Sequence, residues 1–248
     1  MSFDVLVPAI IALPLFGFLF TAAVGRRLGK QAHLVPVGAV GIAWLIGMWV
    51  AFNALTHADP FGAAGYGHTI YTWIGSGSFQ VTAGFFVDGL TACLLIVVLT
   101  IGLLVHVYSI GYMSHDPGYW RFFAYLNLFM VSMLLLVLAD SFLVVFVAWE
   151  LVGLSSYLLI GFWKHKRSAA LAAKKAFIVN RVGDVGFALG IMAIFIDTLA
   201  LGAGTLNIQQ ALHALTTEGA DLPVPIWVVA LLVFGGAMGK SAQFPLHV

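Results

Sequence analysis

The sequence predicts an all-α integral membrane protein, a bundle of about seven transmembrane helices with a short β-hairpin on its outer surface. The first observation is composition. Hydrophobic residues make up 62% of the 248 residues and charged residues only 8%, against about 25% charged in a typical soluble domain. So few charges cannot cover the surface of a soluble protein of this length. The second observation is that several apolar segments reach the roughly 20 residues that span a bilayer as a helix.

Seven apolar segments reach this length, with approximate bounds of 3–24, 33–54, 84–110, 120–138, 141–163, 175–200 and 224–247. Only Ala139-Asp140-Ser141 joins the fourth segment to the fifth, which predicts an antiparallel helical hairpin. The loop 55–83 contains Ile70-Tyr71-Thr72-Trp73, then Gly75-Ser76-Gly77, then Phe79-Gln80-Val81. This alternation around a glycine-rich turn predicts the β-hairpin.

The basic residues predict the orientation in the membrane. The connections at 55–83, around 140 and at 201–223 contain no Lys or Arg. Cytoplasmic loops carry the excess of basic residues, so the N-terminus is predicted to lie outside and the 164–175 connection inside. The alternate connections and their edges hold Arg26, Arg27, Lys30, Arg121, Lys164, Lys166, Arg167, Lys174 and Lys175.

Glu150 is the first candidate site residue, because it lies inside the apolar fifth segment with no neighbouring charge to neutralise it. About nine residues separate it from the outer helix end, which places it roughly 13 Å deep at 1.5 Å per residue. Ionisable residues within the membrane are costly and commonly functional. The alternative is a carboxyl group that stays protonated and hydrogen-bonded within the bundle.

Lys240 is the second candidate. Gly235-Gly236 precede it and Pro245 follows, so the seventh helix is predicted to break near 241–245. Broken membrane helices mark ion and substrate sites, because their freed backbone groups need polar surroundings. The alternative is a lysine whose long side chain reaches the inner interface.

Arg181 and Asp184 complete the candidate set. Their i,i+3 spacing places them on one helix face, where they are expected to form an ion pair that is either part of an ion path or only structural. His106 and His247 are weaker candidates for proton relays, and single histidines near helix ends are more often packing residues. The lone Cys93 excludes a disulfide framework, and the sequence contains no nucleotide-binding loop, haem or iron–sulfur spacing. No cofactor and no nucleic acid are therefore expected on this chain.

Longer motifs follow one another along the chain: Tyr108-Ser109-Ile110-Gly111-Tyr112-Met113, Asp116-Pro117, Arg121-Phe122-Phe123, Leu136-Val137-Leu138-Ala139-Asp140, Trp149-Glu150, Gly153-Leu154-Ser155-Ser156-Tyr157-Leu158-Leu159-Ile160-Gly161-Phe162-Trp163, Asn180-Arg181-Val182-Gly183-Asp184 and Gly239-Lys240-Ser241-Ala242-Gln243-Phe244-Pro245-Leu246. By these motifs the chain resembles, over nearly its whole length, the antiporter-like membrane subunits of proton-pumping NADH:quinone oxidoreductases (respiratory complex I).

The resemblance implies an inverted-repeat fold in which Glu150 pairs with Lys240 of a discontinuous seventh helix, with Arg181 and Asp184 supporting a proton path. It implies a multi-pass subunit of the bacterial inner membrane, surrounded by lipid and by other antiporter-like subunits of complex I. NADH, FMN, iron–sulfur clusters and quinone are then expected on partner subunits. Residues 1–119 are expected to form three helices and the hairpin, and residues 120–248 an incomplete first repeat, since family members continue beyond Val248.

Two alternatives remain open at this point. In the first, the chain is a subunit of a multi-subunit sodium/proton antiporter. Leu151 stands where many complex I sequences have glycine, and Trp-Glu-Leu also occurs in those antiporters. The run Val152-Gly153-Leu154-Ser155-Ser156-Tyr157 resembles the complex I version instead. In the second alternative the chain is an assembly scaffold, whose buried charges only hold helices together.

Overall fold

Eight α-helices and a two-stranded sheet form the part of this computed structural model that is described, residues 3–57, 65–76, 79–217 and 222–247. One turn of 3₁₀ helix, Gly29–Gln31, joins the first two helices. The helices are α1 (Phe3–Leu28), α2 (Leu34–His57), α3 (Gly89–Tyr112), α4 (Tyr119–Leu138), α5 (Phe142–Ile160), α6 (Arg167–Ala200), α7 (Ile208–Thr217) and α8 (Ile226–Lys240).

Six of the predicted membrane spans are confirmed. Among the described residues, α1 to α6 are long and apolar enough to cross a bilayer. The seventh predicted span corresponds to α8, which has 15 residues and is therefore about 22 Å long, shorter than a hydrocarbon core of roughly 30 Å. Helix α8 ends at Lys240, and Ala242 follows with a positive φ of 49°. The break thus begins at the candidate lysine itself.

Two helix starts and one connection differ from the prediction. Residues 84–87 belong to a strand, and α3 begins only after Asp88, whose side chain accepts a hydrogen bond from the Thr91 backbone N–H at 2.8 Å and caps the helix. Helix α6 begins at Arg167 instead of 175, because its first turns are polar and extend past the apolar segment. The 201–223 connection contains α7, a ten-residue amphipathic helix that hydropathy over a 20-residue span does not detect.

The β-hairpin is confirmed and is longer than predicted. Strand β1 (Tyr66–Ser76) pairs antiparallel with β2 (Phe79–Val87), with two irregularities in register. Gly77 of the predicted turn lies outside the described residues. Isolated bridges join Phe85 to Ala139 and Gln80 to Thr205. The hairpin therefore covers the α4–α5 turn and the segment that precedes α7, and we name this side of the bundle the hairpin end.

The opposite side is the basic end, where α1, α3 and α5 finish and α2, α4 and α6 begin. Its connections contact one another: the Tyr119 hydroxyl lies 2.9 Å from His33 Nδ1, and the Trp163 indole donates to Asp116. Alternation of the chain between two ends agrees with the predicted distribution of basic residues. The orientation relative to the membrane stays a prediction, and so does the division at 119/120, because α4 packs on both α1 and α5.

Helix α8 lies directly on α6. A Cβ atom added to Gly183 of α6 would lie 2.8 Å from the carbonyl oxygen of Gly235, a distance that packed atoms do not tolerate. Small residues allow membrane helices this close approach. The contact fixes α8 against the part of α6 that carries Arg181 and Asp184.

Candidate functional site

Four ionisable residues from three helices converge beside Trp149. Helix α5 supplies Glu150, α6 supplies Arg181 and Asp184, and Lys240 is the last residue of α8. We name these four the charged cluster. Sequence reasoning identified all four, and the structure brings them together.

Within the cluster the ion pairs differ from those expected. Arg181 Nη1 contacts Glu150 Oε2. Neither side chain has a second ion-pair partner among the described residues. The expected pair between Arg181 and Asp184 does not form, although the two residues lie one turn apart on α6. The physical reason is that the Arg181 guanidinium lies over the Phe177 ring, 4.6 Å from its centroid, and extends across to α5.

Lys240 pairs with neither carboxylate at salt-bridge distance in the described structure, so the expected Glu150–Lys240 contact is absent in this conformation. Its ammonium group instead donates to the backbone carbonyl of Trp149 at 2.8 Å and lies 5.2 Å from the centre of that indole ring. A Cβ atom on Gly153 would lie 3.0 Å from Lys240 Nζ. Gly153 therefore leaves the space that the ammonium group occupies.

Trp149 is the residue that sequence reasoning missed. Its indole N–H donates to Asp184 Oδ1 at 2.8 Å, while its carbonyl and ring face accept the ammonium of Lys240. The signal was present in the sequence, because Trp149 directly precedes Glu150 in the quoted motif. Only the packing of α6 against both α5 and α8 shows that the Trp149 side chain contacts residues of the two helices α6 and α8.

The charges of the cluster compensate one another. Asp184 is buried, with 5% of its surface exposed, and the positive charges of both Lys240 and Arg181 act favourably on its carboxylate. Arg181 and Lys240 repel each other. The cluster thus combines two acidic and two basic groups, of which Asp184 is the buried member.

Neither histidine candidate belongs to the cluster. His106 is completely buried in α3, where Nδ1 lies 2.7 Å from the Gly102 carbonyl oxygen and Nε2 lies 3.0 Å from the amide nitrogen of Asn127 on α4. His247 stacks on Phe244 beyond the end of α8. These contacts are those of a packing residue in the first case and a terminal ring stack in the second.

At the hairpin end, Asp140 lies in the turn between α4 and α5. Its carboxylate accepts a hydrogen bond from the Gly84 backbone N–H at 3.1 Å. Burial raises the pKa of Asp140, and the hydrogen bond from Gly84 opposes that shift. Asp140, His68, Asn207 and His213 all face a cavity of 770 Å³ between the hairpin and α7. This cavity gives the hairpin end of the bundle a polar recess.

No group of three or more His, Cys, Asp or Glu side chains in the described ranges could hold a metal ion. The charged cluster has no nucleophile positioned by a base. It consists of two acids and two bases, of which Asp184 is buried.

Comparison with known proteins identifies the chain's relatives. The family described as "NADH-Ubiquinone oxidoreductase (complex I), chain 5 N-terminus" matches residues 73–123. The family described as "NADH:quinone oxidoreductase/Mrp antiporter, TM" matches residues 139–248, which contain the whole charged cluster.

Two curated relatives show the extent of the similarity. NADH-quinone oxidoreductase subunit L of Mycobacterium tuberculosis is 43% identical over 244 residues, 96% of this chain and 36% of that protein. NAD(P)H-quinone oxidoreductase subunit 5 of Paulinella chromatophora is 43% identical over 236 residues, 94% of this chain and 34% of that protein. The chain therefore spans about a third of the length of the curated relatives that it matches.

Solved structures share the fold. A chain of an archaeal membrane-bound sulfane sulfur reductase superposes with a TM-score of 0.76 at 20% identity, covering 97% of this chain and 45% of that one. A chain of the Mrp complex from Dietzia sp. gives 0.70 at 24% identity, covering 98% and 24%. Fold, motifs and relatives agree, and the chain belongs to the antiporter-like family of membrane subunits found in NADH:quinone oxidoreductases and Mrp antiporters.

Proposed function

We propose that this chain translocates protons across a bacterial inner membrane as part of a subunit of NADH:quinone oxidoreductase. The observation that carries the proposal is that the Glu150–Arg181 pair, on the long apolar helices α5 and α6, lies next to Trp149, which binds Asp184 through its indole and Lys240 through its carbonyl. The relatives are named as subunits of that enzyme. NADH, FMN, iron–sulfur clusters and quinone are assigned to partner subunits, with neighbouring antiporter-like subunits and lipid around this chain and its N-terminus outside.

The geometry supports a pairing switch. In the conformation described, Arg181 neutralises Glu150, and Lys240 is held by the Trp149 carbonyl, away from both carboxylates. A carboxylate that loses its cation in apolar surroundings takes up a proton, and it releases that proton when a cation returns. We propose that Arg181 and Lys240 alternate as partners of Glu150, which loads and unloads one proton in each cycle.

Lys240 is suited to move in such a cycle. It is the last residue of α8, where the helical hydrogen-bond ladder ends, and its side chain is anchored by one hydrogen bond and one ring face. Arg181, by contrast, lies in the middle of the long helix α6. Electron transfer on other subunits is proposed to supply the energy through a shift of the broken helix.

The test is proton pumping by the assembled enzyme in sealed vesicles, measured together with NADH oxidation in the same sample. We expect Glu150→Gln to abolish or sharply reduce pumping, because the amide keeps the shape but binds no proton. Lys175→Gln on exposed α6 is the matched control and should pump normally. An assembled Glu150→Gln enzyme with an unchanged ratio of protons to electrons would contradict the proposal.

A sodium/proton antiporter subunit is the second candidate, because the matched family description includes Mrp antiporters and an Mrp complex shares the fold. Sodium-dependent growth rescue of an antiporter-deficient cell, independent of NADH, would favour this candidate over complex I.

The scaffold alternative predicts that the Glu150–Arg181 pair is only structural. Exchange of the two residues, Glu150→Arg with Arg181→Glu, retains an ion pair across α5 and α6. A structural pair tolerates the exchange with assembly and pumping intact. A pairing switch loses pumping, because the proton-binding group now lies on the wrong helix.

A further inference from the structure

A second concave site lies at the basic end, away from the charged cluster. A cavity of 220 Å³ opens between the ends of α4, α5 and α6. Three cationic and two tyrosyl side chains line it, and we name it the basic pocket: Arg121, Tyr125, Tyr157, Lys164 and Lys174.

No cation of the basic pocket forms a salt bridge within the described ranges. In the described part of the chain, the ion pairs are His68 with Asp4 and Arg181 with Glu150. Asp116, the acidic residue that precedes α4, accepts the Gly118 backbone N–H at 2.7 Å and the Trp163 indole N–H at 2.8 Å. Its Oδ1 and Arg121 Nη2 lie 3.0 Å and 2.9 Å from the position of a Cβ atom on Gly118, so Asp116 offsets part of the charge of Arg121 without forming a salt bridge. Lys164 and Lys174 have no carboxylate at salt-bridge distance in the described ranges.

The pocket is also built and not merely a group of mobile surface charges. The guanidinium of Arg121 lies over the Phe162 ring, 5.6 Å from its centroid, and Phe162 is buried. Tyr157 packs edge-on against Phe177 of α6. Tyr125 lies one helical turn beyond Arg121 on α4, roughly 6 Å deeper into the bundle. Aromatic rings thus hold two of the polar groups that line the pocket.

Both tyrosyl hydroxyl groups lack a hydrogen-bond partner within the described ranges. Each can donate one hydrogen bond into the pocket. Three cations and two free hydroxyl donors, with no side-chain carboxylate among the lining residues, match the oxygens of a phosphate group.

Apolar surface continues from the pocket toward the bilayer centre. Leu158 of α5 lines the pocket, and Leu154, one turn deeper on the same face, is 41% exposed. On α6, Ile178 lies one turn deeper than Lys174 and is 62% exposed. A free phosphate would leave this surface unused, whereas the acyl chains of a phospholipid would cover it. Basic pockets between membrane helices are suited to anionic headgroups.

We propose that the basic pocket binds the phosphate group of an anionic phospholipid, with Arg121 and Lys174 as the principal ligands and the acyl chains along Leu154 and Ile178. No residue of the charged cluster lines the site, although Phe177 contacts both Tyr157 of the pocket and Arg181 of the cluster. Its occupant holds the basic ends of α4, α5 and α6 together, since each of these segments supplies at least one ligand.

The chain offers a matched control. Lys175 adjoins Lys174 in sequence and carries the same charge and a similar exposure, but it does not line the pocket. Lys174→Gln and Lys175→Gln therefore change the net charge equally and differ only in the proposed contact. Arg121→Gln with Lys174→Gln removes both principal ligands.

The experiment measures bound lipid on the purified, detergent-solubilised membrane complex that contains this chain, by native mass spectrometry with phosphatidylglycerol or phosphatidylcholine added. We expect the unmodified and Lys175→Gln proteins to retain phosphatidylglycerol in preference to phosphatidylcholine. The double variant is expected to lose phosphatidylglycerol affinity by about thirtyfold. If the double variant fails to assemble, the exposed Lys174→Gln variant alone should show a weaker loss of the same sign.

Three results would overturn the proposal. Equal phosphatidylglycerol retention by the Lys174→Gln and Lys175→Gln proteins would show that the pocket is not the site. Equal retention of phosphatidylglycerol and phosphatidylcholine would show that the pocket does not select lipids by the charge of the headgroup. Displacement of the lipid by inorganic phosphate, with phosphate itself bound through Arg121 and Lys174, would assign the pocket to a free anion.

Discussion

The polar groups inside the bundle differ between the first four helices, α1 to α4, and the helices α5, α6 and α8. Around α3 and α4, His106 and Asn127 contact each other and backbone carbonyl groups of their own helices. Around α5, α6 and α8, the polar groups are ionisable residues of both signs, of which Asp184 is buried and Arg181 is exposed, and their contacts cross between helices. The first arrangement joins two adjacent helices. The second joins residues of three helices and lies at the end of α8, which is why the proposed exchange of partners is assigned to it.

The largest effect on the second region is expected from a substitution in the close contact of α6 and α8. Gly183→Ala should cost about 2 kcal/mol of stability, because the added methyl group meets the backbone of Gly235, which cannot move aside. Gly38→Ala on α2 is the control, since nothing lies within 4 Å of the added atom. Thermal unfolding of the assembled complex measures both. Equal melting temperatures for the two variants would show that the contact is loose.

Trp149→Phe sharpens the role of the charged cluster. The phenyl ring still faces Lys240, and the backbone carbonyl is unchanged, but the hydrogen bond to Asp184 is lost. We expect pumping per NADH oxidised to fall about tenfold, the effect of losing one charge-assisted hydrogen bond. Vesicle assays that find normal pumping would reduce Trp149 to a packing residue.

His106→Gln tests the contrast from the first region. The substitution should lower stability by about 1 kcal/mol, because a buried hydrogen-bonded pair is disturbed. Pumping per NADH by the assembled enzyme should not change. A loss of pumping with normal assembly would show that His106 relays protons, and the two regions would then share one function.

Asp140→Asn is expected to have the smallest effect. Burial holds the pKa of folded Asp140 above its unfolded value of about 3.9, so the folded chain binds this proton more tightly than the unfolded chain does. The resulting stability is present at acidic pH and is lost as the pH rises through the folded pKa.

The asparagine can still accept the Gly84 N–H and carries no charge. We therefore expect the free energy of unfolding of the variant at neutral pH to exceed that of the unmodified protein by roughly 1 kcal/mol or less. The variant should accordingly unfold at a slightly higher temperature. The difference should vanish at acidic pH. Melting curves that differ by the same amount at all pH values would contradict the assigned role of burial.

Particular elements and residues show how much of the fold and of the charged cluster can be predicted from the sequence. The six long spans and the hairpin follow from composition and alternation, because a bilayer permits few backbone arrangements. Helix α7 was missed, since ten amphipathic residues leave no hydropathy signal over a membrane span. The four members of the charged cluster were found because an ionisable residue in an apolar segment is conspicuous wherever it lies.

The sequence by itself determined which residues carry charge into the membrane and that α8 breaks near Lys240, because burial cost and backbone chemistry are local properties. Only the tertiary structure decided that Arg181 faces Glu150, and that Trp149 links Lys240, through its carbonyl, to Asp184, through its indole. Spacing along a helix specifies a face but not the partner across it. The partner depends on how α5, α6 and α8 pack, and Gly183 and Gly153 set that packing by the atoms they lack.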